Sequence, residues 1–264
     1  MQDLLSAFSL AGKNALVVRP EYSYGREIAC GLAKAGAKVW LAGPDAAALK
    51  SVEAYMAESD AKSEGGFEYH PGTGAESEKL AAAAKAAMGR IDVLVENSSS
   101  EQVSGWKQGF DEIARQLKET HLAVMLTVQA VGRVVAEHED GSVILVSDYG
   151  ALVGYDPQNY VNCPEYFDTD FSLVKGYVKG GCVNYARQAA GYLGEHGCRC
   201  NCIAYGPMAG KQPAAFEKAY VSHSHLKRLA DAEDVALAAV YLSSDASRFV
   251  TGVTLPVDGG YCAK

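Results

Sequence analysis

Three cysteines at alternate positions, Cys198, Cys200 and Cys202, have the close spacing of metal ligands. Two lysines one helical turn apart, Lys175 and Lys179, could act as a base or a Schiff-base amine if a dry pocket favoured the neutral form. Ser147 ends an apolar run and could present a hydroxyl, while Tyr155, Tyr160 and Tyr166 crowd the polar stretch that follows. His223 and His225 lie in a polar segment. Each has a plainer reading. The cysteines fall on an apparent strand, Arg199 to Tyr205, where period two collects them on one buried face, so core packing is expected and no metal. A lysine pair at i and i+4 on a wet helix face repels by only about a few tenths of a kcal/mol, and that solvated face is the expectation. Ser147 is expected to bond nearby backbone, the histidines to lie at the surface, and the loop tyrosines to pack or to meet a partner.

The elements that would position these residues follow from the hydrophobic pattern. Short apolar runs at Asn14 to Val18, Lys38 to Ala42, Phe67 to His70, Val93 to Glu96, Ser142 to Val146, Cys200 to Tyr205 and Val253 to Pro256 read as strands. Amphipathic segments at Gly25 to Ala35, Asp45 to Glu58, Glu76 to Met88, Asp111 to Glu137, Lys175 to Leu193 and Ala232 to Leu242 read as helices. This alternation predicts a Rossmann-type α/β fold: a doubly wound, seven-stranded parallel sheet in a three-layer αβα arrangement, with all 264 residues in one domain. The ligand crevice of such a sheet lies beyond the strand C-termini where the winding reverses, which directs attention to the loops after Val18, Ala42, Glu96, Val146 and Tyr205.

Composition narrows the partners. A formal net charge of -8 with scattered basic residues offers no footprint for nucleic acid or an anionic membrane surface. No stretch approaches membrane length, and the apolar start from Met1 to Gly12 lacks a basic leader. Seven cysteines without a signal point to buried thiols in a reducing cytoplasm.

Several segments resemble the classical short-chain dehydrogenases/reductases, particularly their gluconate-dehydrogenase-like branch. The tail carries the resemblance most specifically: Leu242 to Ser247, Val250-Thr251-Gly252, and Val257-Asp258-Gly259-Gly260-Tyr261. Gly141-Ser142-Val143-Ile144 and Arg199-Cys200-Asn201, followed by Gly206-Pro207, add two anchors. The same register exposes departures. The family's glycine-rich phosphate turn becomes Val18-Arg19-Pro20-Glu21-Tyr22-Ser23-Tyr24-Gly25, in which only Gly25 survives. Arg19 and Ser23 replace glycines, Pro20 removes an amide donor, and Glu21 brings negative charge. Gly43 and Pro44 stand where a ribose partner is usual, with Asp45 expected to cap the next helix. The family's Asn-Asn-Ala-Gly becomes Glu96-Asn97-Ser98-Ser99.

The resemblance also implies a Tyr-x-x-x-Lys pair and a serine after the fifth strand. Of the fifteen tyrosines only Tyr22, in the turn after the first strand, is followed four positions later by Lys or Arg; none from Tyr149 onward is. Counting back from Arg199 places the family lysine at Lys179 and puts Lys175 at the tyrosine position; an alternative register matches Phe171 to Lys175, with no hydroxyl on Phe171. Ser147 matches the family serine, with Asp148 beside it in the other register, and the relay asparagine falls near Thr120 or His121. Residues 151–170 read as an inserted loop over the old active site.

The resemblance therefore implies a degenerate member, whose Arg19, Ser23, Gly25 and Asn97 are remnants of a cofactor site and whose Ser147, Lys175 and Lys179 are remnants of a catalytic one. It is similar to the inactive subunits of heteromeric family members, such as the 2-[hydroxy(phenyl)methyl]succinyl-CoA dehydrogenase of anaerobic toluene degradation. The expectation is a non-catalytic subunit that binds no cofactor, paired in a heterotetramer with an active paralogue that holds NAD and has 3-hydroxyacyl-CoA-type activity. A divergent oxidoreductase or a cofactor-independent lyase in the remodelled pocket is the alternative.

Overall fold

A computed structural model describes residues 4–98, 109–164 and 173–263 of the chain. Strands β1 (Asn14–Val18), β2 (Lys38–Gly43), β3 (Gly65–Glu68), β4 (Val93–Glu96), β5 (Ser142–Asp148), β6 (Arg199–Tyr205) and β7 (Thr254–Val257) form one parallel sheet in the order β3-β2-β1-β4-β5-β6-β7. The order reverses between β1 and β4, which is where a doubly wound sheet is expected to form its crevice. Helices α1 (Gly25–Lys34), α2 (Ala46–Glu58), α3 (Gly74–Met88), α4 (Phe110–Leu117), α5 (Ala123–Val135), α6 (Leu173–Gly194), α7 (Ala214–His223) and α8 (Ala232–Ser243) accompany it.

Two apolar layers follow from the pleat. Leu16, Val18, Leu94, Val143, Leu145, Cys200 and Cys202 face one cluster with residues of α3, α5 and α6. Ala15, Val17, Val39, Leu41, Val95, Ile144 and Ile203 face the other with residues of α1 and α8. Strands buried on both faces are what parallel crossovers require, and they explain why these runs are continuously apolar instead of alternating. Helix starts are set by side chains: Asp45 accepts from the Ala48 amide at 2.8 Å, and Asp231 with Asp234 closes a reciprocal cap on α8.

The sequence expectations hold for the sheet and fail in four places. β3 starts at Gly65 and ends at Glu68, two residues earlier than the Phe67 to His70 reading, because backbone pairing with β2 sets its register and not the apolar run. The segment read as one helix from Asp111 to Glu137 is broken by a widened turn over Lys118–Leu122 and stops at Val135. Helix α7 falls in a stretch to which the hydrophobic pattern assigned no element. Cys198 precedes β6, although all three cysteines are buried in one cluster as expected.

The Arg199-Cys200-Asn201 anchor has a structural task. The Arg199 side chain is buried and donates to the carbonyls of Leu242 at 2.8 Å, Ser244 at 3.3 Å and Val250 at 3.4 Å. Asn201 donates to the Val250 carbonyl and accepts from the Val253 amide, so β6 holds the chain between α8 and β7 by side chains as well as by pairing. Burial alone drives the guanidinium pKa down, and these carbonyls compensate its desolvation. Arg199→Met should therefore leave buried carbonyls without donors and lower the urea-unfolding free energy by about 1–3 kcal/mol; a loss below a few tenths would remove the task assigned to this side chain.

Candidate active site

The turn after β1 keeps a glycine-like course without glycines. Arg19 has φ 55° and Ser23 has φ 44°, a left-handed conformation that costs a residue with a Cβ roughly 1–2 kcal/mol. Asn97, just past β4, holds the turn by donating its side-chain amide to the carbonyls of Arg19 at 3.0 Å and Tyr22 at 2.8 Å. Gly25 is required by contact: a Cβ there would lie 2.6 Å from Pro20 Cα.

Side chains of the turn occupy its own concavity. Arg19 is buried, donates through Nε to Glu21 Oε1 at 2.5 Å and lies over the Tyr22 ring with 4.5 Å to the centroid. The other Glu21 oxygen, Oε2, is buried with no hydrogen-bond partner among the described residues and would be 3.3 Å from a Cβ at Gly43. A carboxylate thus reaches the end of β2 from the phosphate turn, next to the position where the sequence offers Gly43 and Pro44.

Glu96 closes β4 and is fully buried. It accepts from Ser98 Oγ at 2.5 Å and from the Ser98 amide at 3.1 Å. Burial pushes its carboxyl pKa up; the Ser98 bonds, then Lys179 and Arg19, pull against that without reversing it.

At the end of β5 the two registers of the serine separate into two places. Ser147, fully buried, donates Oγ to the Lys179 carbonyl at 3.0 Å, so its hydroxyl braces α6. Asp148 accepts the Tyr155 hydroxyl at 2.8 and 3.0 Å and the Gly150 amide at 2.9 Å, and Lys175 Nζ stands 3.9 Å from Asp148 Oδ2. The Lys175 ammonium also lies over the Tyr155 ring, 4.9 Å from its centroid. Gly150 makes this possible, since a Cβ there would be 2.3 Å from Tyr155 Cζ. The reading of Lys175 and Lys179 as a solvated face is corrected: the Lys175 side chain is only 17% exposed and Lys179 is half-buried. Packing of α6 against β5 brings Lys175 toward the Asp148 carboxylate. Phe171, Ser172, Tyr166 and Ser99 lie outside the described residues.

The stretch read as an inserted loop builds a small core of its own. Tyr149, Tyr155, Tyr160 and Cys163 pack with Phe216 and Tyr220 of α7 and with Tyr261. Tyr220 and Tyr261 stack at 4.2 Å, and Asn159 donates to the Tyr261 hydroxyl at 3.0 Å. His223 is within 3.3 Å of Asn159 Oδ1 and half-buried, which corrects its reading as a surface residue, whereas His225 is exposed. Thr120 and His121, the candidates for the relay position, sit in the widened turn, where Thr120 Oγ1 donates to the Gln116 carbonyl at 2.5 Å. Among the described residues no three His, Cys, Asp or Glu side chains could hold a metal, and burial pushes Cys182 to about 11 and Cys200 to about 12. Sequence reasoning missed the Asp148–Tyr155–Lys175 cluster, because Tyr155 reaches the site from a loop with no fixed spacing. It also missed the buried character of Glu96.

The family model described as Enoyl-(Acyl carrier protein) reductase matches residues 18–262. An L-rhamnose 1-dehydrogenase of Azotobacter vinelandii is 35% identical over 191 residues, 69% of each chain. A 7alpha-hydroxysteroid dehydrogenase of Clostridium sardiniense is 30% identical over 96% of this chain and 94% of its own length. Among solved structures, a short-chain type dehydrogenase/reductase of Mycobacterium marinum superposes with a TM-score of 0.84 at 23% identity, covering 98% of this chain and 99% of its own. A gluconate 5-dehydrogenase of Burkholderia cenocepacia, in complex with NADP and tartrate, gives 0.84 at 20% over 99% and 100%. These likenesses show the fold.

The Glu96 environment has a pH signature. A carboxyl whose folded pKa is raised adds most to stability below its unfolded value and loses that contribution as pH rises through the folded one. Glu96→Gln should therefore gain stability over the wild type as pH rises from about 4.5 to about 8 in urea unfolding. A constant difference across that range would show that Glu96 is ionised throughout.

Proposed function

The chain belongs to the short-chain dehydrogenase/reductase family of oxidoreductases, and on that premise we propose that it is a non-catalytic subunit supporting an active, NAD-binding paralogue. The observation that carries this reading is the pairing of the buried Arg19 with the partly buried Glu21 in the phosphate turn. A dinucleotide needs open backbone there and a net attraction for its pyrophosphate. Arg19 and Tyr22 fill the space, the guanidinium is already neutralised by Glu21, and the buried Glu21 Oε2 adds an unshared negative oxygen facing β2. The residues present do not fit NAD or NADP, and no chemical step is derived through either.

The rest of the cleft supports the same conclusion. Lys175 and the Tyr155 hydroxyl are directed to Asp148, and the Ser147 hydroxyl is bound to helix backbone. Two of the three groups that the resemblance would assign to catalysis, Ser147 and Lys175, thus have partners within the chain. Besides a cavity of about 360 Å³ beyond β6 and β7, lined by Gly206, Pro207 and Asp258, a second hollow lies on the outer helices. Between α5 and α6 lies a cavity of about 450 Å³ over Gly132 and Ala189, rimmed by Tyr185 and Tyr192. Its lining mixes small and aromatic residues with Gln129, Arg133 and Gln188, which suits a helix of a homologous subunit, and pairing with a paralogue would reuse the two-fold geometry of related chains.

A divergent oxidoreductase is the second reading. It is favoured by the active dehydrogenases among the relatives and by the meeting of a phenol, an ammonium and a carboxylate at Tyr155, Lys175 and Asp148. Two experiments separate the readings. Calorimetric titration of the purified chain with NAD or NADP should give no dissociation constant below about 100 μM, roughly 5.5 kcal/mol of binding; tighter binding overturns the proposal. Replacing Ser147, Lys175 and Lys179 by Ala should leave the dehydrogenase activity of the assembled complex unchanged. Losing a working acid or base costs about 10²- to 10⁴-fold, so a fall of that size with assembly intact selects the second reading. Co-expression with an intact paralogue should give one co-eluting species, and a paralogue fully active and stable alone would count against the pairing.

A further inference from the structure

We propose that His121 is a pH-sensitive wedge that holds the widened turn between α4 and α5 against α6 while neutral and releases it when protonated. This goes beyond the proposed function and holds whether or not the cleft binds a dinucleotide. The geometry is a hinge facing a void. His121 projects from the turn over Lys118–Leu122 onto the backbone of α6, where a Cβ at Gly181 would stand 2.4 Å from His121 Cε1. Its ring stacks on Tyr177, one turn earlier, at 5.5 Å and 25°. Behind it is a void of about 40 Å³ lined by His121, Val124, Met125, Gly181, Cys182 and Tyr185. Nδ1 is buried with no hydrogen-bond partner among the described residues.

An imidazolium in this place would need an acceptor or an anion, and the surroundings supply neither. From α6 it meets the phenols of Tyr177 and Tyr185 and the Cys182 thiol; burial pushes Tyr185 to about 12 and Cys182 to about 11, so both stay uncharged. From α5 it meets Val124 and Met125. On α4 and its own turn, Glu112 and Glu119 are engaged by Arg115 at 2.7 and 2.6 Å, and Lys118 extends to Gly72. None of the cleft charges Asp148, Glu96, Lys175 and Lys179 shifts the His121 pKa: Lys179, Glu96 and Asp148 act on the Cys182 thiol, whereas burial is the sole cause at His121. A group held neutral in the folded state binds fewer protons than in the open state, so acidification favours opening. A widened turn is the natural place for that opening, because its backbone hydrogen bonds span five residues instead of four and depart from the regular α-helical spacing on either side.

The test compares the full chain with His121→Phe and His121→Asn at about pH 7.5 and about pH 5.5, reading amide hydrogen exchange corrected for its intrinsic pH dependence. In the wild type, exchange over residues 118–127 and 177–185 should rise several-fold at the lower pH, with β1 and β4 unchanged. In both variants that rise should disappear: Phe keeps the packing without a charge, and Asn keeps a polar group without titrating in this range. The His121 ring proton should titrate below the ordinary 6.5 in NMR. A titration at or above that value, no rise in the wild type, or a rise that persists in either variant would overturn the proposal.

Discussion

The amide of Asn97 fastens the sheet at its topological reversal. By donating to two carbonyls of the turn after β1, it joins the ends of the two central strands across the place where the winding changes direction. Arg19 and Ser23 stay in a left-handed conformation that their side chains disfavour because this bracket and the Gly25 contact leave the backbone no other course. The turn keeps its outline while its chemistry changes. The buried neighbours, Glu96 with Ser98 and Arg19 with Glu21, are arranged around that fixed outline.

With the backbone held, the cleft satisfies its charges from within. Burying a cation or a carboxylate alone is expensive, so a site that no longer receives an external ion needs internal counter-ions or must lose its charges. Arg19 is paired with Glu21 and Lys175 stands near Asp148, while burial pushes the Glu96 carboxyl toward its neutral form. The aromatic core around Tyr149 adds a mechanical element, since it binds residues 151–164 to α7 and to Tyr261 near the C-terminus. Solvent is thereby kept from Asp148 and Tyr155.

The sheet was legible in the sequence because burial on both faces writes itself into continuous apolar runs, as in Val93-Leu94-Val95. The break at Lys118–Leu122 was not legible, since a widened turn leaves the helical period of apolar residues almost unchanged on either side. Of the site, the changed residues of the phosphate turn could be read one by one, but their pairing could not. That Arg19 turns to Glu21, and not to solvent, depends on φ angles that a non-glycine residue seldom adopts. Lys175 shows the same limit: an i, i+4 lysine pair looks like a wet face until the packing of α6 on β5 is known.

The two left-handed residues in the phosphate turn also constrain the routes by which this sequence can change. Glycine at position 19 would relieve backbone strain yet strand the Glu21 carboxylate in a buried site with no cation, so the gain and the penalty arrive together. Removing Glu21 first leaves the more deeply buried Arg19 charged, resting on Tyr22 with no carboxylate. Either single change leaves a charge without its partner, so the two substitutions are epistatic. A return to an open turn therefore requires positions 19 and 21 to change together or to pass through a valley in stability.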